Sequence, residues 1–347
     1  MIKAAVIGGT GYAGQQLLQI LYRHPETEVI GIGSHSYVGQ TFADLYRNYK
    51  DISPEVCEDL NLETISEEAD VVFVALPHGI ASKAVTPDVL NRCKVIDLGA
   101  DYRLKDVKIY SEWYQVAHHS EDLIAEAVYG LPELHRDDIK KARLIANPGC
   151  YTTCSILSLA PLVANHLIDP DTIIIDAKSG VTGAGRGLNL PNLYCECNES
   201  IKAYKVAAHR HTPEIEQELG FLNGEEITLT FTPHLTPMNR GILAVCYAKL
   251  TQDISETALR QIVSDFYQNE KFVRVYNEDV LPETRWVKGS NYCDIGLKID
   301  KRTNRVIVIG AIDNLMKGAA SQAVQNMNLL FGLQEDTGID FIPEFPI

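Results

Sequence analysis

The stretch Ile2–Gly14, IKAAVIGGTGYAG, decides the fold of the first third of this chain. A short apolar run, Ile2–Ile7, enters a glycine-rich turn. Beyond the turn, Leu17, Leu18 and Leu21 recur at helical spacing within Gln15–Tyr22. Gly9, Gly11 and Gly14 form G-x-G-x-x-G in the strand-to-helix context that a dinucleotide-binding turn requires. The chemistry explains the glycines. A Cβ would block the tight turn and keep a pyrophosphate away from backbone N–H groups, and the helix N-terminus favours that negative charge. The bland alternative is a tight turn that binds nothing.

Outward from this turn, Glu28–Gly33, Val71–Leu76 and Val95–Leu98 are β-rich runs separated by helical stretches. That alternation predicts a parallel sheet with crossover helices. The texture then changes. Thr172–Ala177, Glu226–Pro233, Gly241–Leu250, Asp294–Ile299 and Arg305–Ile312 read as strands with fewer helices between them, which predicts an α+β region with a mixed sheet. After Asp313 the pattern is helical through Phe331. The predicted fold class is α/β. A Rossmann-type dinucleotide-binding domain takes residues 1–149 and 313–347, and a catalytic and oligomerisation domain takes residues 150–312. No repeat, low-complexity tract or Gly/Ser linker interrupts the chain, so short crossings join the two.

The 347 residues are 46% hydrophobic and 22% charged, the composition of a folded chain. With 31 basic and 46 acidic residues the formal net charge is −15, which argues against a nucleic-acid partner. No apolar run approaches the roughly 18 residues that a bilayer-crossing helix needs, so no membrane partner is expected. Met1–Ala4 enters the first strand without the apolar core and cleavage site of a signal peptide. Eight cysteines are scattered along the chain without a small-scaffold framework. Both features predict a cytoplasmic protein.

The end of the second strand carries the cofactor choice. An NAD site usually places Asp or Glu there for the ribose 2′-hydroxyl. Here the residues are Gly33-Ser34-His35-Ser36. Two hydroxyls and an imidazole suit a 2′-phosphate better, so NADP is the expected cofactor.

Asn147–Cys154 reads NPGCYTTC and precedes an apolar helical stretch, which puts Cys150 at a helix N-terminus. The positive end of the dipole and the unpaired N–H groups there favour a thiolate, a competent nucleophile. Most cysteines are small buried hydrophobes, and Cys154 is read that way. His209–Glu216, HRHTPEIE, is the richest polar cluster. Thr212 is the expected N-cap and Pro213 suits the first helical position. His209 and His211 would then end an extended segment with their side chains on one face, either one able to act as acid or base near neutral pH. Glu214 would favour the helix start or orient an imidazole. Cys195, Cys197, His209 and His211 invite a zinc reading, but C-x-C and H-x-H do not match the usual ligand spacings, and no metal is expected.

These residues resemble one family. GGTGYAG (Gly8–Gly14), DLGADYRL (Asp97–Leu104), YGLPEL (Tyr129–Leu134), NPGCYTT (Asn147–Thr153) and SGVTGAGR (Ser179–Arg186) occur in its order. HRHTPEIEQ (His209–Gln217), FTPHLTPMNRGI (Phe231–Ile242) and IDNLMKGAA (Ile312–Ala320) complete the set. The chain resembles the N-acetyl-gamma-glutamyl-phosphate reductases over its whole length and, more distantly, the aspartate-semialdehyde dehydrogenases. The resemblance implies NADPH-dependent reduction of N-acetyl-glutamyl 5-phosphate, a small acyl-phosphate substrate, to the 5-semialdehyde in arginine biosynthesis, by a homotetramer or homodimer. It implies Cys150 as nucleophile and His209 as acid/base, with His211 and Glu214 in support. Arg103 and Arg186 would grip phosphate or carboxylate. Gly8, Thr10, Gly11, Tyr12 and Ala13 match the pyrophosphate turn, Ser34 and Ser36 the 2′-phosphate side, and Pro77 and Asn314 positions near the cofactor. Two departures stand out: His35 where the family often has Arg nearby, and Gly99 where it often has Ser. Two rival readings are a sister reductase acting on a longer aminoadipyl phosphate and a catalytically silent NADP sensor.

Overall fold

Ala4, Ala5 and Val6 are fully buried in β1 (Ile2–Ile7), an interior strand of a seven-stranded sheet. The computed structural model describes residues 1–277 and 279–344. It divides into a first unit, Met1–Pro148 with Ala319–Asp340, and a second, Gly149–Gly318 with residues 341–344.

In the first unit β1 is joined by β2 (Thr27–Gly33), β3 (Cys57–Glu58), β4 (Val71–Val74), β5 (Lys94–Asp97), β6 (Val128–Tyr129) and β7 (Leu144–Ala146). All pairings are parallel, in the order β3-β2-β1-β4-β5-β7-β6. Val71–Val74 is buried at every position, as expected of a parallel strand covered on both faces. Helix α1 (Tyr12–Leu21) begins directly after the glycine turn, three residues earlier than the periodicity places it. The chain reverses direction in strand order between β1 and β4, which opens a ligand crevice at their C-terminal ends.

The second unit is built on the buried helix α2 (Cys150–Ala164). Its sheet comprises β8 (Ile168–Gly180), β9 (Lys202–Ala203), β10 (Thr230–Thr236), β11 (Ile242–Leu250), β12 (Val273–Val275), β13 (Cys293–Asp300) and β14 (Arg305–Ile312). The order is β12-β13-β14-β11-β8-β10-β9, with β8–β10 and β12–β13 parallel and the other pairs antiparallel. Small residues let α2 sit close to the sheet. Ala244, Cys246 and Ala248 are fully buried, and a Cβ on Gly310 would come within 2.1 Å of Ser158 Oγ. Helices α3 (Thr212–Asn223) and α4 (Glu256–Phe266) pack on α2.

Two further boundaries differ from the sequence reading in ways that bear on the site. The strand expected at Glu226–Pro233 starts at Thr230. The return to the first unit comes at Ala319, where α5 (Ala320–Leu330) begins to form, and not at Asp313. Asp313 and Asn314 are tied into the second unit. Arg240 pairs with Asp313 at 3.1 Å, Gly289 N donates to Asp313 at 2.7 Å, and Gly241 N donates to Asn314 Oδ1 at 2.8 Å. Helix α5 instead lies on α1 with nearly every side chain buried, and several of its polar ones hydrogen-bond within the first unit. Asn326 Nδ2 donates to Gly130 O at 2.9 Å, and Asn328 Oδ1 lies 3.0 Å from His24 Nε2.

Candidate active site

Where β1 ends, Gly8 has φ +86°, and a Cβ there would come within 2.3 Å of Ala75 O. Gly8 N and Gly9 N both donate to Gly33 O, at 2.9 and 3.0 Å, tying the turn to the end of β2. A Cβ on Gly14 would meet Gly8 O at 2.4 Å, so glycine there lets α1 start on the turn itself. Gly11 is different. An added Cβ would meet nothing nearer than Gly8 O at 3.6 Å, and its φ of −77° suits any residue. The protein's own packing does not demand glycine at position 11, whereas close approach of a pyrophosphate does. The amides of Tyr12 and Ala13 precede the first helical bond, Gln15 N to Gly11 O, and α1 has no acidic residue in its first turn. That combination is an anion site, and these residues fit a dinucleotide.

Neighbouring segments brace the turn. Thr10 Oγ1 lies 2.9 Å from Ser34 Oγ, and Tyr46 Oη donates to Thr10 O at 2.9 Å. Tyr46 belongs to an aromatic cluster with Phe42 and Tyr49. Ser34 is buried, while His35 and Ser36 are exposed. Pro77 is exposed just beyond β4. Arg103 is buried, its Nε donating to Asn147 O at 2.8 Å and its Nη2 to Leu98 O at 3.0 Å, so it clamps the end of β5 to the residue before Pro148. Beside it, Asp97 is fully buried and accepts from Gly99 N at 2.8 Å. Burial and the neighbouring Asp101 push its carboxyl up to about 7.

In the second unit Cys150 is the first residue of α2, behind Gly149 in extended conformation. A Cβ on Gly318 would come within 2.7 Å of the Cys150 Cβ, so glycine there keeps room at the thiol. The helix start is held by a residue of another helix. Glu214, fully buried in the first turn of α3, accepts from Gly149 N at 2.9 Å and lies 2.8 Å from Thr152 Oγ1. Glu214 thus joins the His209–Glu216 segment to the start of the helix that Cys150 opens.

His209 is buried, with Nδ1 accepting the His211 amide at 3.1 Å and Nε2 lying 3.4 Å from Tyr204 Oη. The amide at Nδ1 places the neutral ring's proton on Nε2. The two imidazoles meet edge to face, centroids 4.8 Å apart, and Tyr151 lies edge-on to both. Desolvation, then the neighbouring His211, Lys205 and Arg210, hold His209 far below its usual range, at about 2. This corrects the expectation that it titrates near neutrality: the free protein keeps it neutral. The backbone also differs from the sequence reading. Residues 205–211 form turns, with Lys205 and Ala207 at positive φ, and are not extended. His211 is the N-cap of α3 in place of Thr212, whose Oγ1 is buried without a hydrogen-bond partner. The rings still meet because Thr212 N donates to His209 O at 2.9 Å and turns the chain back on itself.

Arg186 is exposed just after Gly185, which has φ +82°. Asn314 is buried, with Nδ2 donating to Thr182 Oγ1 at 3.0 Å and Oδ1 on Gly241 N, so its amide braces loops of the second unit. Cys154 is fully buried, and burial pushes its thiol up. Among the described residues no group of three or more His, Cys, Asp or Glu is arranged to hold a metal ion. None of the described helices is long and apolar enough to cross a membrane. Sequence reasoning missed Tyr151, Tyr204 and Gly318. Tyr151 follows Cys150 directly and could have been noticed. Tyr204 and Gly318 reach the site only through the fold.

Comparison with known proteins places these features in a family. Residues 3–142 match the model described as semialdehyde dehydrogenase, NAD binding domain, and residues 150–314 the one described as semialdehyde dehydrogenase, dimerisation domain. The first unit is therefore a nicotinamide-dinucleotide-binding domain of that kind. The chain is 54% identical over 346 residues, all of both chains, to a protein of Lachnoclostridium phytofermentans named N-acetyl-gamma-glutamyl-phosphate reductase. It is 53% identical to a protein of the same name from Campylobacter jejuni, over 98% of each chain. Among solved structures, aspartate semialdehyde dehydrogenase II of Vibrio cholerae in complex with ASA superimposes with a TM-score of 0.71 at 16% identity, over 96% of this chain and 98% of that one. The Candida albicans aspartate semialdehyde dehydrogenase with NADP gives 0.68 at 16% identity, over 95% and 98%. These two share the fold.

Proposed function

This chain belongs to the N-acetyl-gamma-glutamyl-phosphate reductase family, and on that premise we propose that it reduces N-acetyl-L-glutamyl 5-phosphate to N-acetyl-L-glutamate 5-semialdehyde and phosphate, using NADPH, in arginine biosynthesis. The observation that carries the chemistry is Cys150 opening a buried helix whose start is fastened by Glu214, five residues after His209. The Cys150 thiolate attacks the acyl carbon, a C–S bond forms, the C–O bond to phosphate breaks, and phosphate leaves. Backbone amides at the start of α2 stabilise the developing oxyanion. When bound, reduced nicotinamide supplies a hydride for the thioester carbon. The resulting oxyanion takes a proton. Collapse then gives up that hydroxyl proton as the C–S bond breaks, releasing the aldehyde and returning the thiolate.

His209 enters this sequence as a neutral ring with its proton on Nε2, so its first role is to donate a hydrogen bond to developing negative charge. His211 fixes the tautomer through its amide, and Glu214 fixes the helix start. Arg103 and Arg186 are the cationic candidates for the substrate's phosphate or carboxylate. Gly8, Thr10, Gly11, Tyr12 and Ala13 would hold the pyrophosphate, with Pro77 and Asn314 toward the nicotinamide. Ser36, and Ser34 through its O–H when Thr10 Oγ1 is the donor of their shared bond, would donate to the 2′-phosphate, making the cofactor NADP. The working form is a homotetramer or homodimer in the cytoplasm.

The test is phosphate-dependent reduction of NADP by N-acetyl-glutamate semialdehyde, run beside NAD and beside the one-carbon-longer aminoadipate semialdehyde. The reading predicts turnover that needs phosphate, prefers NADP and prefers the shorter aldehyde. Preference for the longer aldehyde would move the chain to the sister reaction. Cofactor binding without turnover on either would leave a sensor.

A further inference from the structure

His209 has a partner at each ring nitrogen, and the second is held loosely. Nδ1 accepts the His211 amide at 3.1 Å, which leaves the proton on Nε2. Tyr204 Oη faces that proton at 3.4 Å. Tyr204 Oη in turn donates to Tyr151 Oη at 3.3 Å, and Tyr151 Oη donates to His234 O at 3.0 Å. Imidazole, two phenols and a carbonyl thus form one chain inside the second unit.

The direction of this chain is set at both ends. A backbone carbonyl only accepts, so the Tyr151 proton points at His234 O. The lone pairs of Tyr151 Oη then take the Tyr204 proton, and those of Tyr204 Oη are left for His209. From the other end, the amide on Nδ1 requires a proton on Nε2, and a buried N–H needs an acceptor. The two requirements meet at Tyr204 Oη without conflict. Burial pushes the Tyr204 hydroxyl up to about 12 and pushes that of Tyr151 up as well. Both stay protonated, so the chain carries orientation and no charge. The links at Tyr204, 3.3 and 3.4 Å, are long for hydrogen bonds, so a better acceptor displaces Tyr204 at little cost.

The backbone is bent to make this contact. Tyr204 N donates to Pro233 O of β10 at 3.1 Å. Lys205 and Ala207 follow with φ +45° and +55°, and Ala208 N closes the turn on Lys205 O at 3.0 Å. Two residues with side chains in the left-handed region, so close together, store strain beside a functional group. The turn brings the Tyr204 and His209 rings edge to face with centroids 5.5 Å apart. Tyr151 and Phe231, both buried, lie edge-on to His209 at 5.5 and 5.4 Å.

We propose that Tyr204 is a positioning residue for His209: its Oη accepts the Nε2 proton before substrate binds, keeps the ring aimed, and yields that hydrogen bond to the oxygen of the reacting acyl group. The proposal rests on the reading of His209 as a hydrogen-bond donor and adds what holds the donor ready. Tyr151 acts one link further out, by keeping the Tyr204 proton turned away from the ring.

The test is a double-mutant cycle on the full chain: Tyr204→Phe, Tyr151→Phe and both together. It is read by turnover, by melting temperature and by the ring-nitrogen signals of ¹⁵N-labelled histidine, with His209→Asn assigning those of His209. Wild type should show Nε2 protonated and Nδ1 bare. Tyr204→Phe should lower kcat by about 10- to 100-fold and leave KM for the aldehyde within about 3-fold. Tyr151→Phe should lower kcat less, yet shift the His209 Nε2 signal, although its hydroxyl is bonded to Tyr204 and His234. With Tyr204→Phe already present, Tyr151→Phe should change kcat by no more than about 2-fold. Multiplicative losses of kcat, or an Nε2 signal unmoved in both single variants, would overturn the chain. A wild-type proton on Nδ1 would overturn its direction. Losses that track melting temperature alone would reduce Tyr204 to packing and overturn its role. Absence of turnover in wild type would remove the functional reading, and the ring signals would still decide whether Tyr204 holds the Nε2 proton.

Discussion

Two helix starts in this protein use the same physics for different ends. At α1 the dipole faces outward: Gly11 caps without a side-chain hydrogen bond, no acid sits in the first turn, and position 11 is kept bare beyond what packing requires. At α2 the positive end carries a thiol, and the protein supplies an acid of its own, Glu214, to fasten it. The first start is arranged to receive a ligand's negative charge. On the proposed function, the second must raise one on Cys150 and keep it positioned. A buried carboxylate there exchanges some of the field that favours a thiolate for a fixed geometry.

The largest effect expected is at Cys150 itself. Cys150→Ser should lower turnover by about 10⁴-fold or more while the cofactor still binds. Near-normal turnover measured by nicotinamide absorbance would remove Cys150 from the chemistry. Next comes a paired test of the glycine turn. Gly11→Ala should fold with nearly wild-type melting temperature yet bind cofactor roughly 10- to 100-fold more weakly, about 1.4–2.7 kcal/mol. Gly14→Ala, with a Cβ 2.4 Å from Gly8 O, should lose stability first. If Gly11→Ala binds normally in a fluorescence titration, the bare position serves no ligand.

A smaller effect sharpens the second helix start. Glu214→Gln keeps an acceptor for Gly149 N but removes the charge. The pH midpoint for alkylation of Cys150 should fall by roughly 0.5–1 unit. A midpoint that stays or rises would mean that Glu214 acts on the thiol through geometry alone. The smallest effect concerns acid. Burial holds His24, His118 and His209 below the ordinary histidine range. Above about pH 6.5 folded and unfolded chains are both neutral at these sites, so they add no pH dependence. Below it the unfolded chain takes up protons that the native chain refuses, and stability falls as pH falls. For His209 alone the loss is at most about 1.4 kcal/mol per pH unit. Melting temperatures between pH 7 and 5 should therefore decline, and less steeply in His209→Asn.

The contrast also explains what the sequence could say. The cofactor turn is written in seven consecutive residues, Gly8–Gly14, and the β-α alternation around it is local, so both were legible. The start of α2 at Cys150 was legible for the same reason. Glu214 on Gly149, Tyr204 on His209 and Gly318 beside Cys150 were not, because each is a contact between segments far apart in sequence or held by turns. The turn at 205–211 depends on Lys205 and Ala207 at positive φ, which neither residue type announces. The protonation of His209 is not legible in HRHTPEI, because burial outweighs the reference value. Asp313–Gly318 belongs with the second unit although the helical pattern begins at its start, because Arg240 and Gly289 anchor Asp313 there.

The central claim is a thioester on Cys150, and one half-reaction reads it directly. Mix the protein with NADP and N-acetyl-glutamate semialdehyde in the absence of phosphate, follow nicotinamide absorbance, and take the intact mass. The account predicts a burst of about one reduced nicotinamide per chain, an N-acetylglutamyl adduct on the Cys150 peptide, and continuous turnover only when phosphate is added. Sustained turnover without phosphate, or a burst with no adduct on Cys150, would contradict it.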